Sequence, residues 1–202
     1  MEIKLPNALE RVIAHLRRLP GVGNQTAQRH AWELLGWKDE ELAAFAGELA
    51  ALHEKVGFCP VCGFTLDGGA PCQLCSATGR DATQICVVET PAQVPVFEKT
   101  GCYHGLYHIL GGRFSPLSGV LPENLRISQL RERLSTGKVK ELILATSTDV
   151  EGQATARLLQ DEFQEVEGLA ITRLAIGIPS GADLAYTSTA SLAQALSGRQ
   201  NF

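Results

Sequence analysis

Four cysteines in paired spacing carry the clearest chemistry in this sequence. Cys59 and Cys62 are separated by two residues, Cys72 and Cys75 likewise, and nine residues lie between the pairs. Such spacing aims both thiolates of a pair at one ion, and the glycine-rich spacer lets the two halves close into a tetrahedral site. Four thiolates leave no open position, so the site is structural and folds a segment too small to own a core. Zinc suits it; iron in a rubredoxin-like arrangement is the rival, because sulfur ligation alone does not separate the two, and free or disulfide-bonded cysteines are the plain alternative. Cys86 and Cys102 have no partner in sequence and read as buried small residues.

A second pattern is LeuProGlyValGly at residues 19–23, where Pro20 and Gly21 stop one helix and another starts by Gln25 or Thr26. A Gly-x-Gly turn between two short helices bares backbone N–H groups at the second helix, a ready site for one phosphate. Charge gathers there: residues 1–30 hold Lys4, Arg11, Arg17, Arg18 and Arg29 against Glu2 and Glu10, net +3, whereas residues 31–54 hold Lys38 against six acids, net −5. An ordinary two-helix corner with solvated arginines is the competing interpretation.

The third pattern is acidic. Glu89 follows the apolar run at 85–88, and Asp149 and Glu151 follow the run at 142–145. Ligands gather at the carboxyl ends of parallel strands, and three carboxylates can hold a hard cation such as magnesium. Thr148 to Glu151 equally fits a capping box opening a helix at Gly152, and Glu89 before Pro91 fits a solvated loop acid.

Positioning these groups requires several elements. Leu5, Leu9, Val12, Leu16 and Leu19 form one apolar stripe, a second helix spans Gln25 to Leu35, and a third, N-capped by Asp39, sets Leu42, Phe45, Leu49 and Leu52 on one face. Residues 58–75 lack periodicity and read as a small metal-organised loop unit. Beyond Gln84, apolar runs at 85–88, 107–110, 142–145 and 171–176 alternate with amphipathic stretches at 125–134 and 152–163, which predicts a mainly parallel sheet flanked by helices. A Gly/Ser/Thr-rich loop and a short helix around Ser191–Leu196 end the chain.

With 202 residues, the chain has room for one or two domains of about 100–200 residues. Its 45% apolar and 20% charged residues suit a packed fold rather than a disordered one. The net charge of −4 argues against a uniformly basic surface, so any grip on nucleic acid is local. No apolar run approaches the roughly 18–20 residues of a membrane span, and residues 1–12 carry charges where a signal peptide is apolar, so the expected location is cytoplasmic. Neither glycine-rich loop contains the Gly-Lys-Ser/Thr of a phosphate-binding P-loop. His15, His30, His53, His104 and His108 show no metal or hydrolase spacing, and Trp32 and Trp37 are expected to pack the helical part.

The order of these parts, with SerProLeuSerGly at 115–119, GlyIleProSerGly at 177–181 and AlaLeuSerGlyArg at 195–199, resembles the RecR family of bacterial recombination mediators over essentially the whole chain. The resemblance implies an α+β multidomain fold: a helix-hairpin-helix DNA-binding region at 1–54, a zinc finger at 55–79, an α/β Toprim domain at 80–170 and a Walker-B-like oligomerisation segment at 171–202. It implies a noncatalytic scaffold that forms a homotetrameric ring, binds DNA at gaps or junctions with RecO or RecF, and promotes RecA loading on DNA coated by single-strand-binding protein. It places structural Zn2+ on the four cysteines and DNA on Arg18, Gly21, Gly23, Gln25 and Arg29. Asn24 and Gln25 stand where the family usually has Pro-Lys, removing one cation that Arg17 and Arg18 stand near enough to replace. Ser147 stands where catalytic Toprim proteins carry the first Asp of their Asp-x-Asp pair, so Glu89, Asp149 and Glu151 are expected to meet a basic partner or a weak Mg2+ site. The rival from another class is a magnesium-dependent Toprim nuclease or primase using those three acids.

Overall fold

The computed structural model describes residues 4–199. Residues 1–3 and 200–202, the outer ends of the first and last expected segments, together with Glu2 of the charge count, lie outside the described residues. The chain divides after Lys55 into two compact units.

The first unit holds three helices, α1 (Asn7–Leu16), α2 (Asn24–Leu35) and α3 (Asp39–Lys55). Leu9 and Ile13 of α1 bury against Ala27 and Ala31 of α2, where the small alanines let two backbones approach closely. The buried stripe thus runs through Ile13, and Val12 is exposed, one residue and about 100° around the helix from the expected face. The first helix also ends earlier than its apolar stripe, at Leu16, and tightens through Arg18 N–H to His15 O and Leu19 N–H to Leu16 O before the turn. The expected apolar face of α3 exists as a pattern but buries nothing: Leu42, Phe45, Leu49 and Leu52 remain 38–56% exposed. Leu42, Phe45 and Leu49, together with α1 and α2, line an apolar groove of about 330 Å3.

The second unit begins with an antiparallel hairpin, β1 (Val56–Phe58) and β2 (Thr65–Asp67), absent from the sequence reading, and the short α4 (Gln73–Ser76). There follow β3 (Asp81–Val88), α5 (Val94–Thr100), β4 (Gly105–Ile109), α6 (Ile127–Leu134), β5 (Glu141–Leu144), α7 (Val150–Phe163), β6 (Ala170–Arg173) and α8 (Thr189–Ser197). The sheet order is β4-β3-β5-β6 with every pair parallel, as the alternation of runs predicts. Period-2 side-chain alternation sends Ile85, Val87, Leu142 and Leu144 to one face, where Leu130, Leu134, Leu159 and Phe163 of α6 and α7 cover them. Cys86, Val88, Tyr107 and Ile109 face the other way, and there Val94 of α5 shares the cover with Cys59, Cys62, Cys72 and Leu74. The cysteine segment therefore supplies a layer that a helix supplies on the opposite face.

Candidate functional site

The cysteine centre is built by local backbone bonds. Gly63 N–H returns to Cys59 O at 2.9 Å and Cys59 N–H to Phe64 O at 2.7 Å, so the chain curls around Cys59 and Cys62, with Cys62 N–H 3.5 Å from the Cys59 sulfur. Gly63 takes φ +81°, and a Cβ on it would stand 2.7 Å from Ile109 O and 2.8 Å from Arg126 Nε. Only glycine serves at that point. All four Sγ atoms lie within 4.8 Å of one another, Cys59, Cys62 and Cys72 buried and Cys75 exposed. The Cys59–Cys75 and Cys62–Cys72 sulfur separations are 3.9 and 3.5 Å. A regular tetrahedron with metal–sulfur bonds of about 2.3 Å has sulfurs about 3.8 Å apart, so the donor set fits a tetrahedral metal ion. Burial raises the Cys59 thiol, but the N–H groups of Cys62 and Val61 outweigh it and bring its pKa down to about 7. Burial pushes Cys75 up to about 11 and Cys62 far above its ordinary value. Cys86 is buried in the sheet and Cys102 is exposed, contrary to the expectation that both are buried.

At the hairpin, Val22 N–H bonds Leu19 O at 3.1 Å while Gly21 adopts φ +77°, which reverses the chain in four residues. Gly23 caps α2 in extended backbone with no side-chain cap, so the first amides of α2, Gln25 among them, lack an internal side-chain acceptor, and no acid occupies the first turn. Arg17, Arg18, Gln25 and Arg29 are exposed, and the ion pairs among the described residues include none of these arginines. The turn thus presents cations and unengaged N–H groups on one short stretch, an arrangement that can accept a phosphate.

The three acids stand beyond the carboxyl ends of β3 and β5, but each is already engaged. Glu89, only 4% exposed, accepts Ser147 N–H at 2.8 Å and Ser147 Oγ–H at 2.7 Å. Asp149 caps α7 through Gly152 N–H at 2.8 Å, so the helix is capped one residue later than the Thr148–Glu151 capping box would place it. Glu151 accepts Ser115 Oγ–H at 2.6 Å. Arg113, which no sequence motif marks, spans the two outer acids, Nη1 to Asp149 Oδ2 at 2.6 Å and Nη2 to Glu151 Oε2 at 3.2 Å. The Gly152 amide first, then Arg113, holds the Asp149 carboxyl below its usual range. A Cβ on Gly152 would meet Ser147 O at 2.2 Å, so the glycine after Glu151 lets α7 begin against the end of β5. Among the described residues the four cysteines converge as a metal-ligand group; the three acids do not.

Comparison with known proteins places these parts in one lineage. The sequence profile of the Toprim domain matches residues 83–175, and that of the RecR helix-hairpin-helix matches residues 9–53. The chain is 45% identical over 194 residues to the recombination protein RecR of Moorella thermoacetica, covering 96% of both chains. It is 45% identical over 193 residues to that of Geobacter metallireducens, again with 96% of both covered. With that of Desulforapulum autotrophicum it shares 39% identity over 197 residues, 98% of each.

Proposed function

This chain belongs to the RecR family of recombination proteins, and on that premise we propose that it is a noncatalytic DNA-binding scaffold of recombinational repair. The observation that carries the DNA-binding role is the uncapped start of α2 beside exposed Arg17, Arg18 and Arg29 in a chain of net charge −4. A local cation cluster with bare amides grips phosphates without reading bases, as a protein that loads on gaps of any sequence requires. Arg18, Gly21, Gly23, Gln25 and Arg29 form this contact.

We further infer that the four cysteines hold structural Zn2+, that the protein is cytoplasmic, and that it assembles as a homotetrameric ring. Support for assembly is the apolar groove of the helical unit and the unburied face of α3, a surface that water leaves unstable until a second copy covers it. Among the described residues no helix is long and apolar enough to cross a membrane. The outer acids Asp149 and Glu151 face RecO, with RecF as the alternative companion, in promoting RecA loading on DNA coated by single-strand-binding protein, whereas Glu89, buried beneath Ser147, is withdrawn from that surface. Ser147 on Glu89 and Arg113 between Asp149 and Glu151 support a protein-facing surface over a Mg2+-dependent nuclease or primase.

Fluorescence anisotropy with gapped DNA across a salt series tests the interface. Arg18→Ala and Arg29→Ala should each weaken binding across sequences and lower the slope of log K against log salt by about one. Unchanged slopes overturn the interface; Mg2+-dependent cleavage abolished by Glu89→Gln overturns the noncatalytic reading.

A further inference from the structure

Four thiolates around a divalent ion leave a net charge of about −2, and three of the four sulfurs are buried here. Buried charge that lacks a counter-charge is strongly destabilising. Two arginines at opposite ends of α6 meet the centre from the sheet side. Arg126, the N-cap of α6, donates Nη2–H to Cys59 O at 3.2 Å and Pro60 O at 2.5 Å, and its Nε is buried with no partner. Arg133, partly buried in the last turn of α6, donates Nη1–H to Tyr107 O at 2.6 Å, and Tyr107 packs in one cluster with Cys59, Cys62 and Cys72; burial lowers the Arg133 pKa, and the sulfurs of Cys75, Cys62 and Cys59 oppose that shift. His108, fully buried, meets the backbone of Arg126 and the side chain of Arg133. Its Nε2 lies 2.8 Å from Arg126 O, which only accepts, so Nε2 carries the proton and Nδ1 turns a lone pair toward Arg133 Nη1 at 3.4 Å. Burial, with the two guanidiniums adding to it, brings the imidazole pKa down to about 3, so it adds no charge of its own.

We propose that Arg126 and Arg133 are the counter-charge of the metal centre, Arg126 through the Cys59–Pro60 carbonyls and Arg133 from its bond to the carbonyl of Tyr107, which packs against the cysteines. The two positive side chains match the charge of the loaded site and lock the metal knuckle to β4 and α6. They are positioning residues, not ligands. The proposal rests on the reading that the thiols hold a divalent ion.

The test is competition for Zn2+ between the full-length protein and a chromogenic chelator. Arg133→Met, which keeps the length of the side chain and removes its charge, should lower Zn2+ affinity about 10–100-fold, and Arg133→Lys should recover part of it. Cys75→His retains a ligand and makes the site less negative by one charge; in that background Arg133→Met should cost several-fold less. Equal losses in both backgrounds, or undiminished affinity in Arg133→Met, overturn the proposal, since a side chain that only packs is blind to the charge of the site. Should Arg133→Met fail to fold, the same cycle with Arg126→Met decides on the same criterion. A wild-type chain that binds no Zn2+ overturns the metal reading itself, and with it the counter-charge.

Discussion

The second unit contains two groups of anionic side chains, and they are completed in opposite ways. Around Cys59, Cys62, Cys72 and Cys75 the sulfurs point at a common centre while the cations, Arg126 and Arg133, stand outside it. Around Asp149 and Glu151 the cation is Arg113, and it lies between the acids. The lesson is that ligand-type residues make a metal site only when nothing of the chain fills their centre. Backbone N–H groups sharpen the contrast: Cys62 N–H reaches back to the Cys59 sulfur and shapes the knuckle, whereas Gly152 N–H consumes one oxygen of Asp149.

Removing a ligand from the cysteine centre should have the largest effect. Cys62, 1% exposed, sits at the core of the second face of the sheet, so Cys62→Ser should abolish stoichiometric metal and lower Tm by about 10 °C or more, read by metal analysis and calorimetry. Retained metal with unchanged melting would erase the distinction between the two groups.

An intermediate effect belongs to His108. Its folded pKa, about 3, lies below the ordinary 6.5, so the unfolded chain takes up the proton first. Its contribution to stability is complete above about pH 6.5 and is lost as pH falls toward 3, by up to ~1.4 kcal/mol per pH unit. Urea unfolding at about pH 7.5 and about pH 5 should show this slope in wild type, and His108→Gln should flatten it.

The smallest effect is expected from Arg113→Ala. The Arg113 side chain is 37% exposed, so its pairs contribute less than about 1 kcal/mol and Tm should move by no more than about 3 °C. Mg2+ at millimolar concentration should then raise the Tm of the variant and leave wild type unmoved. An equal Mg2+ shift in both would show that Arg113 does not occupy the place of a cation.

Much of the sheet was legible because central parallel strands are apolar on both faces, which makes the runs at 85–88 and 142–145 stand out. The helix Val94–Thr100 leaves no signature in the sequence because Pro95 stands in its first turn and seven residues are too few to establish a period. Cysteine spacing exposed the metal ligands, since both members of each pair are local. Arg113, Arg126, Arg133 and His108 were invisible as a group because their partners lie across strand crossovers. Asp149 lies 36 positions from Arg113, and Cys59 67 positions from Arg126. His108 shows no ligand pattern in the sequence, and the structure uses it accordingly as a buried, hydrogen-bonded core residue with Nε2 2.8 Å from Arg126 O. For α3 the periodicity of Leu42, Phe45, Leu49 and Leu52 was real, but periodicity specifies a greasy side without saying what lies against it.

The cover that the cysteine segment lays over Cys86, Val88, Tyr107 and Ile109 bears on where this protein can be cut. A fragment begun at Asp81 keeps every strand of the four-stranded sheet and α5, yet bares to solvent the part of one apolar side that Cys59, Cys62, Cys72 and Leu74 cover. Such a piece would clump rather than dissolve, so the smallest independently expressible portion of this half starts with the hairpin at Val56 and travels with its metal.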